Sequence, residues 1–395
     1  MKHTSILIIA STALLLLAAC GGSGGGSASV TPPIPVIPPP SAGMIGDGRL
    51  DELVEWARAS QGVPAMAAVI VIDDQVAEMS AVGQRTITGN ETVAINDKWH
   101  IGSLTKAMTA TLAGVLVDQS VITWDTRPID IWPELDSTIH PLFRNATLQQ
   151  FLSHTSGMRR GNDTPPQFGE SGSGSATERR RNYAAAVLAE APESTVGQFS
   201  YSNVGFVVAG AMQETITGTP YEILLQQQVF DPLGMLDSGF GAPGTQGQAD
   251  QPWGHWDRGS GFEAVAPGPG ADNPDTLAPA GTVHTTLADY GQFILAHLAG
   301  ARGIAGLVTA PTFQTLQTPV HNGSALGWGV QSFETWAQGR ALVHNGSNER
   351  WFAAVRIAPE RNAGAMFVVN AGGGRANAAI DSLSDLMVER LDASQ

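Results

Sequence analysis

The sequence predicts an α+β fold: an antiparallel sheet flanked by N- and C-terminal helices, with a mostly helical insertion between its two halves. Strand-like runs occur at both ends of the folded part, and helix-like periodicity dominates the middle. Apolar residues make up 43% of the 395 residues and charged residues only 14%. A chain of this composition can bury a large core, which excludes a disordered polyelectrolyte.

The N-terminal end of the folded part supplies a helix and a hairpin. Apolar positions within residues 51–58 predict an amphipathic helix. Residues 66–72 and 76–82 are rich in strand-forming side chains, and residues 73–75 between them are turn formers. This arrangement predicts a β-hairpin.

The middle of the chain is predicted to be helical. After Gly102, apolar residues from Leu104 to Leu116 recur on one helical face. Residues 120–235 are predicted as helices broken by loops. Residues 239–281 are rich in glycine and proline and are predicted as a long loop, a feature that is usually functional or disordered.

Strand patterns return at residues 351–357 and 365–369, and residues 376–391 predict a final helix. The two chain ends therefore form one sheet around the helical insertion. We expect one domain over residues 48–392, with a sheet part at about 48–102 and 282–392. Its helical part is expected at about 103–281.

Residues 1–19 have the pattern of a signal peptide. Lys2 is followed by an apolar run of 14 residues, 6–19, which is shorter than the roughly 20 residues of a membrane span. The run ends in Leu17-Ala18-Ala19-Cys20, which resembles a bacterial lipoprotein signal with a lipidated cysteine. Cys20 is the only cysteine, so a disulfide within the chain is excluded.

Residues 20–47 are first Gly/Ser-rich and then Pro-rich, which predicts a tether. We therefore expect an exported protein held at the cell envelope by a lipid on Cys20. In a Gram-negative source this would be the periplasmic side of the outer membrane. The alternative is a plain secretion signal with an incidental cysteine.

The composition also limits the partners. With 21 basic and 36 acidic residues the net charge is −15, and such a surface disfavours nucleic acid. No group of His, Cys, Asp and Glu residues has the spacing of metal ligands. We expect no nucleic-acid partner, no metal and no cofactor, and the oligomeric state stays open.

The sequence Ser103-Leu104-Thr105-Lys106 is the sharpest chemical signal. Residues three apart share a helix face, so the lysine amine reaches the serine hydroxyl. A lysine desolvated in a cleft activates a serine nucleophile, and a serine at a helix N-terminus gains from the helix dipole. The alternative is a surface helix whose serine is an N-cap.

Four short segments occur in an order that resembles one enzyme superfamily. They are residues 101–106, residues 152–157, Tyr201-Ser202-Asn203 and His344-Asn345-Gly346. This order resembles the serine β-lactamase and penicillin-binding-protein superfamily, in the branch of class C β-lactamases, D-alanyl-D-alanine carboxypeptidases and esterases. Residues 231–235, 279–281 and 326–329 add to the resemblance, which covers about residues 48–392.

The resemblance implies roles for matching residues. Ser103 would be the nucleophile that forms an acyl-enzyme, with Lys106 and Tyr201 as the base system. The backbone N–H groups of Ser103 and Ser347 would form the oxyanion hole. Asn203 would hydrogen-bond Lys106 or the substrate. His344 and Gly346 would lie on the strand that edges the cleft and bind substrate.

The third segment departs from the pattern of many β-lactamases and D-alanyl-D-alanine peptidases, which carry a lysine where this chain has His344. A histidine is not a fixed cation near neutral pH, although Arg350 nearby is a second source of positive charge. Esterase-like relatives often carry histidine here. The glutamate segment of class A β-lactamases is also missing, so deacylation would fall to Tyr201 and Lys106.

Several residues have plainer explanations. Tyr201 could be a core tyrosine, Asn203 a helix cap and His344 a strand residue. His154 is predicted to be structural, and residues 179–181, three arginines, are predicted to form a solvated face. The substrate pocket is expected to be shaped by residues 239–281 and by residues near Trp328.

These observations favour an exported serine hydrolase that cleaves a small ester, amide or peptide through acyl-Ser103. A carboxylesterase or amidase is favoured over a D-Ala-D-Ala carboxypeptidase, and a true β-lactamase ranks third. The alternative of another class is a non-catalytic binder of peptidoglycan or an envelope partner.

Overall fold

The computed structural model describes residues 38–161 and 164–394. The predicted signal peptide, Cys20 and most of the predicted tether lie outside these residues. The described helices are α1 (Leu50–Gln61), α2 (Thr105–Asp118), α3 (Pro128–Ile131), α4 (Leu148–Leu152), α5 (Ala176–Ala189), α6 (Asn203–Thr217), α7 (Tyr221–Leu225), α8 (Asp231–Leu233), α9 (Ala278–Gly281), α10 (Leu287–Ala301), α11 (Ala310–Gln317) and α12 (Gly374–Ala393).

The described strands are β1 (Ala65–Ile72), β2 (Gln75–Gly83), β3 (Trp99–His100), β4 (Gly239–Phe240), β5 (Gly254–Asp257), β6 (Phe262–Val265), β7 (Val283–Thr285), β8 (Gly329–Glu334), β9 (Gly339–Ser347), β10 (Phe352–Ala358) and β11 (Ala363–Val369). Strands β2-β1-β11-β10-β9-β8 form a six-stranded sheet. Every pairing in it is antiparallel, with Met66 opposite Val369 and Val355 opposite His344. This confirms the predicted α+β fold, whose sheet joins the two chain ends.

Strand β1 shows how the sheet is buried on both faces. Ala65, Ala67, Val69 and Val71 face the larger core with α2 and α10, while Met66, Ala68 and Ile70 face α1 and α12. Successive side chains of a strand point to opposite faces, so a sheet covered on both sides needs a continuous apolar run.

The hairpin between β1 and β2 turns at Asp73 and Asp74, whose φ angles are 50° and 68°. Two consecutive residues with positive φ form the type I′ turn that matches the twist of paired strands. Aspartate tolerates this conformation better than most residues. The predicted hairpin is therefore present, with its turn at the predicted residues.

Helix α2 differs from the one-sided helix that the sequence predicts. Residues 105–116 are all buried, because the helix runs through the centre of the domain with neighbours on every side. Its threonines bond backbone carbonyls instead of facing water, as Thr105 does to Gly102 and Thr111 to Ala107. The polar residues suggested an exposed face that the structure does not have.

Two other regions contain more regular structure than the sequence predicts. Residues 239–281, predicted as a loop, contain strand β4, the β5–β6 hairpin and helix α9. Helices α10 and α11 lie between strands β7 and β8, in a part of the chain for which no helix is predicted. Among the described helices, none combines the length and apolar character that crossing a bilayer requires.

The prediction of a solvated arginine face at residues 179–181 is wrong. Arg180 is fully buried, and its guanidinium pairs with Glu214 and with Glu222. Arg179 is also buried and pairs with Asp275. The sequence shows the run of arginines but not their partners in the fold. In the structure, carboxylates from two other helices neutralise Arg180.

Packed structure begins ahead of the predicted boundary at residue 48. Ala42 is buried, and its carbonyl accepts a hydrogen bond of 2.7 Å from Arg390 of α12. The same guanidinium donates to Asp47 at 2.6 Å and to Glu78 of β2 at 2.7 Å. Arg390 therefore fastens the chain before α1 to both α12 and the sheet.

Candidate active site

Ser103 lies in a single 3₁₀ turn, Gly102–Leu104, that leads into α2. The turn starts with a tight bend at Gly102, where φ is +51°, a conformation that favours glycine. Ser103 is thus the second residue of the helical segment, where its N–H has no acceptor within the helix. The hydroxyl group is half-buried at the end of the central helix.

Lys106 is one turn further along and fully buried. Its Nζ donates to the Ser103 Oγ at 2.9 Å and to the Ala280 carbonyl at 2.5 Å. Within the described structure the amine has no carboxylate partner. Burial therefore moves the pKa of Lys106 well below its ordinary value, since desolvation disfavours the charged form. In its neutral form the amine can donate to the Ala280 carbonyl and accept the Ser103 O–H across the same 2.9 Å, which makes it a base for the serine.

Tyr201 immediately precedes α6 and faces the same amine. The Nζ of Lys106 lies 5.0 Å from the centre of the tyrosine ring. Burial raises the pKa of the Tyr201 phenol, and the Ser103 hydroxyl, close enough to interact with it, works in the opposite direction. Burial dominates, so the phenol keeps its proton at neutral pH.

His154 holds Tyr201 in place from the other side. The two ring centres are 4.3 Å apart, and the Nδ1 of His154 accepts the Ser202 N–H at 3.0 Å. His154 is buried, and this burial moves its pKa well below the ordinary value. The contacts are those of a packed, neutral ring, as the sequence predicts for a structural histidine.

The C-terminal end of β9 packs against the 3₁₀ turn that contains Ser103. Strand β8 pairs with β9 only as far as Val343, so residues 344–347 continue beyond it. A methyl group on Gly346 would lie 2.7 Å from the Ser103 nitrogen, and one on Gly102 would lie 2.4 Å from the Ser347 nitrogen. Because both glycines lack side chains, the two backbone segments can pack closely against each other. This packing brings the N–H groups of Ser103 and Ser347 near one another.

His344 lies on the same strand end, with its ring centre 6.4 Å from that of Tyr201. Its Nδ1 is 2.7 Å from the Asn345 carbonyl. A carbonyl only accepts, so Nδ1 carries the proton and Nε2 is an acceptor. Desolvation lowers the pKa of His344 to about 3, and the positive charge of Arg356 contributes. The ring is therefore neutral at neutral pH.

Asn203 lies beside the site without a hydrogen bond to the Lys106 amine. Asn203 is the first residue of α6, but the helix cap is Ser202, whose hydroxyl accepts the Gly205 N–H at 3.0 Å. In the described structure the Lys106 amine donates to Ser103 and Ala280 and not to Asn203.

The guanidinium of Arg350 stacks on Trp256, 4.5 Å from the ring centre, and donates to the Asn348 carbonyl at 3.2 Å. The predicted cation is thus present near the end of β9. It is held against an aromatic ring of the β5–β6 hairpin.

A cavity of about 540 Å³ is lined mostly by residues 240–282. Its lining includes Asp272, Asn273 and Thr282, but not Ser103, Lys106 or Tyr201. Trp328 itself is buried in the core, 5.0 Å from the ring centre of His297, and does not line this cavity. Within the described residues, no cluster of three or more metal-ligating side chains occurs.

Sequence reasoning missed two features of the site. The Ala280 carbonyl is the second acceptor of the Lys106 amine, and the only sequence signal was that residues 279–281 resemble a family segment. The second feature is a buried group of His100, Asp272 and Asn348. Asp272 lies in a Gly/Pro-rich stretch where nothing in the sequence marks it.

Comparisons with known proteins identify a family and a fold for this chain. A family model described as Beta-lactamase matches residues 50–386. Penicillin-binding protein 4 of Amycolatopsis lactamdurans is 25% identical over 350 residues, which are 81% of this chain and 84% of that protein.

The Unguisins hydrolase ungD of Aspergillus violaceofuscus is 27% identical over 261 residues, or 63% of this chain. The aligned part is 44% of that protein, so the match spans less than half its length. The octameric penicillin-binding protein homologue from Pyrococcus abyssi has the same fold, with a TM-score of 0.69 at 19% identity. That alignment covers 88% of this chain and 78% of that one.

Proposed function

The chain belongs to the β-lactamase family of serine hydrolases, and from this premise we propose that it cleaves uncharged ester or amide substrates through an acyl-enzyme on Ser103. The observation that carries the proposal is the 2.9 Å hydrogen bond between the Lys106 amine and the Ser103 hydroxyl, made by a fully buried lysine. A neutral amine in this position is the general base that a serine nucleophile requires.

In the proposed reaction, the Ser103 oxygen attacks the substrate carbonyl carbon and its proton moves to the Lys106 Nζ. The C–O or C–N bond to the leaving group then breaks, and the Tyr201 hydroxyl donates its proton to the departing atom. The proton held by Lys106 then passes to the Tyr201 oxygen and restores the neutral phenol. Water attacks the acyl group by the reverse route, with Lys106 again the base, and releases the acid.

The geometry favours Lys106 over Tyr201 as the proton acceptor. Burial lowers the pKa of the amine and raises that of the phenol, so at neutral pH the amine is the free base and the phenol is the acid. A general acid and base whose pKa values are pushed apart by their surroundings are typical of such sites. The open choice between the two residues is decided in this proposal for Lys106.

The backbone N–H groups of Ser103 and Ser347 are the proposed oxyanion hole. Support comes from the close approach of the two backbones at Gly102 and Gly346. Each such donor contributes about 3–4 kcal/mol to stabilising the transition state in other acyl-transfer enzymes.

The neutral state of His344 supports a substrate without a carboxylate. Its ring offers an acceptor, Nε2, where a fixed cation would bind an anion. Asn203 and Gly346 are proposed to contact the substrate at the same edge, and Arg350 to lie further along it. An ester or amide with a hydrogen-bond donor near the reacting carbonyl fits these groups.

The second candidate function is that of a D-Ala-D-Ala carboxypeptidase or a β-lactamase. The observation in its favour is the 25% identity to Penicillin-binding protein 4 over 81% of the chain. Such substrates carry a carboxylate, for which Arg350 would then be the cation.

The test is hydrolysis of a short-chain p-nitrophenyl ester by the domain beginning at residue 38, beside Ser103→Ala. We expect turnover that Ser103→Ala abolishes. Full turnover by Ser103→Ala would overturn the proposal. Hydrolysis of a D-Ala-D-Ala peptide or a β-lactam without ester turnover would favour the second candidate, and Ser103-independent binding of cell-wall peptides a binder.

We further propose that the protein is exported and anchored by a lipid on Cys20, on the basis of residues 1–20 alone. Expression with a labelled fatty acid tests this. Label in the full chain that is lost in Cys20→Ser supports the anchor, and an unlabelled, secreted full chain contradicts it.

A further inference from the structure

We propose that Asp272 is a positioning residue of the oxyanion hole: its carboxylate ties the turn before Ser103 to the turn after Ser347. The inference rests on the proposed function. The two donor N–H groups come from distant parts of the chain, one from the start of α2 and one from the end of β9. The distance between the two donor N–H groups therefore depends on how firmly these two segments are held together.

The first segment is held through His100. The Gly102 N–H donates to the Nδ1 of His100 at 3.2 Å, so the ring proton is on Nε2. That nitrogen lies 2.8 Å from the Oδ1 of Asp272. His100 is fully buried and also packs against Trp351, 5.5 Å between ring centres. The carboxylate thus acts on the residue next to Ser103 through one intervening ring.

The second segment is held through Asn348, the residue after Ser347. Its Nδ2 donates to the same Oδ1 of Asp272 at 2.8 Å. Its Oδ1 accepts the N–H groups of Arg350 at 3.2 Å and Trp351 at 3.1 Å, which shapes the turn that follows β9. Asn348 is only 4% exposed, so its side-chain amide is shielded from solvent.

Asp272 is itself fixed. Its side chain is nine-tenths buried, and Oδ1 also accepts the Asn273 N–H at 2.6 Å. The Asn273 side chain donates to the Gly281 carbonyl at 3.0 Å, next to Ala280, whose carbonyl holds Lys106. Oδ1 therefore accepts hydrogen bonds from Asn348 and Asn273 and lies 2.8 Å from the Nε2 of His100, so it stands between the two segments that carry the hole.

Removing the carboxylate takes away the acceptor of Asn348 and the close contact of the His100 Nε2. The two turns can then separate by a few tenths of an ångström, enough to weaken hydrogen bonds aimed at a developing oxyanion. The nucleophile and base are untouched, because neither contacts Asp272. The predicted defect is therefore in stabilising the oxyanion and not in activating Ser103.

The experiment compares a p-nitrophenyl ester with its thionoester, in which sulfur replaces the carbonyl oxygen. Sulfur accepts hydrogen bonds weakly, so the thionoester gains little from the oxyanion hole. In Asp272→Ala we expect kcat/KM for the ester to fall roughly 10- to 100-fold and for the thionoester by less than about threefold. The ester-to-thionoester ratio therefore falls at least about threefold. Asn348→Ala is expected to lower the same ratio.

The ratio separates positioning from folding, because a loss of folded enzyme lowers both rates equally. Asp272→Asn keeps an acceptor and is expected to restore most of the ratio. Asp289→Ala is the matched control: this buried carboxylate accepts the Asp237 N–H at 2.8 Å and lies on α10. Its ratio should equal that of the wild type.

An unchanged ratio in Asp272→Ala would overturn this inference and leave the proposed function in place. An equal fall with both substrates would do the same and assign Asp272 to stability alone. A wild type without Ser103-dependent turnover of either substrate would overturn the proposed function and this inference with it.

Discussion

The Nζ of Lys106 lies 2.9 Å from the Oγ of Ser103, and the lysine side chain is fully enclosed by protein. Enclosure without a carboxylate partner in the described structure removes the positive charge and leaves a base on the nucleophile. The proposed catalysis by Ser103 depends on this contact.

Replacing Lys106 tests whether a free amine is required. Lys106→Met removes the base, and Lys106→Arg keeps a cation that cannot be deprotonated in proteins. We expect both variants to lose roughly 10²- to 10⁴-fold in kcat/KM for a p-nitrophenyl ester, the usual contribution of a general base. Circular dichroism checks the fold of each variant. Substantial activity in Lys106→Arg would show that charge, and not proton transfer, is what the site uses.

The pH profile distinguishes the two members of the base system. Lys106 acts only when deprotonated, so kcat/KM rises as pH increases through its pKa and is lost below it. This acid limb, the fall in kcat/KM on the low-pH side, is expected to have its midpoint well below 10.5, the ordinary pKa of lysine. Tyr201→Phe should lower the rate but leave the limb in place, because the phenol stays protonated throughout. Disappearance of the limb in Tyr201→Phe would make the phenolate the base.

The same burial links stability to pH. Between the lowered pKa of Lys106 and 10.5 the unfolded chain binds one more proton than the folded one. The free energy of unfolding therefore rises with pH, by at most about 1.4 kcal/mol per pH unit from this group. We expect the difference between wild type and Lys106→Met in urea unfolding to grow in favour of the wild type from pH 7 to 9.5.

Lys98→Met is the control for losing one lysine charge, since Lys98 is partly exposed and pairs with Asp237. Its stability relative to the wild type should change little over this range. A constant difference for Lys106→Met would mean that Lys106 is charged in the folded protein, which contradicts the proposed base.

His344 tests the preference for uncharged substrates. His344→Lys places a cation at the strand edge, where a substrate carboxylate can pair with it. A hydrogen bond to a charged group is worth about 1.5–3 kcal/mol, so kcat/KM for a carboxylate-bearing ester relative to its neutral counterpart should rise roughly 10- to 100-fold. His344→Gln, which adds no charge, is the matched control. A wild type that already prefers the carboxylate-bearing ester would contradict the assignment of His344 as a neutral acceptor.

The sequence predicts the parts of this protein that depend on local pattern. Runs of strand-forming residues predict β1 and β11, a pair of aspartates predicts the turn between β1 and β2, and the spacing of Ser103 and Lys106 predicts their contact. These features need only neighbouring residues to form. The family resemblance adds Tyr201 and the β9 segment.

The parts that it fails to predict depend on contacts between distant segments. Nothing near Arg180 in sequence shows that Glu214 and Glu222 will neutralise it in the core. The same holds for Asp272, which acquires its role from partners at His100 and Asn348. The buried threonines of α2 mislead in a related way, since their hydroxyl groups bond the helix backbone and need no water.

The most direct test of the central claim is to find the residue that becomes covalently modified. A fluorophosphonate is added to the domain beginning at residue 38, and intact and peptide mass spectrometry follow, with ester hydrolysis measured in parallel. We predict one adduct, on the peptide that contains Ser103, and loss of hydrolysis in proportion to labelling. Ser103→Ala should neither label nor turn over, while Ser80→Ala, at a buried serine of β2, should do both. Labelling at another residue, or full turnover by Ser103→Ala, would contradict the account.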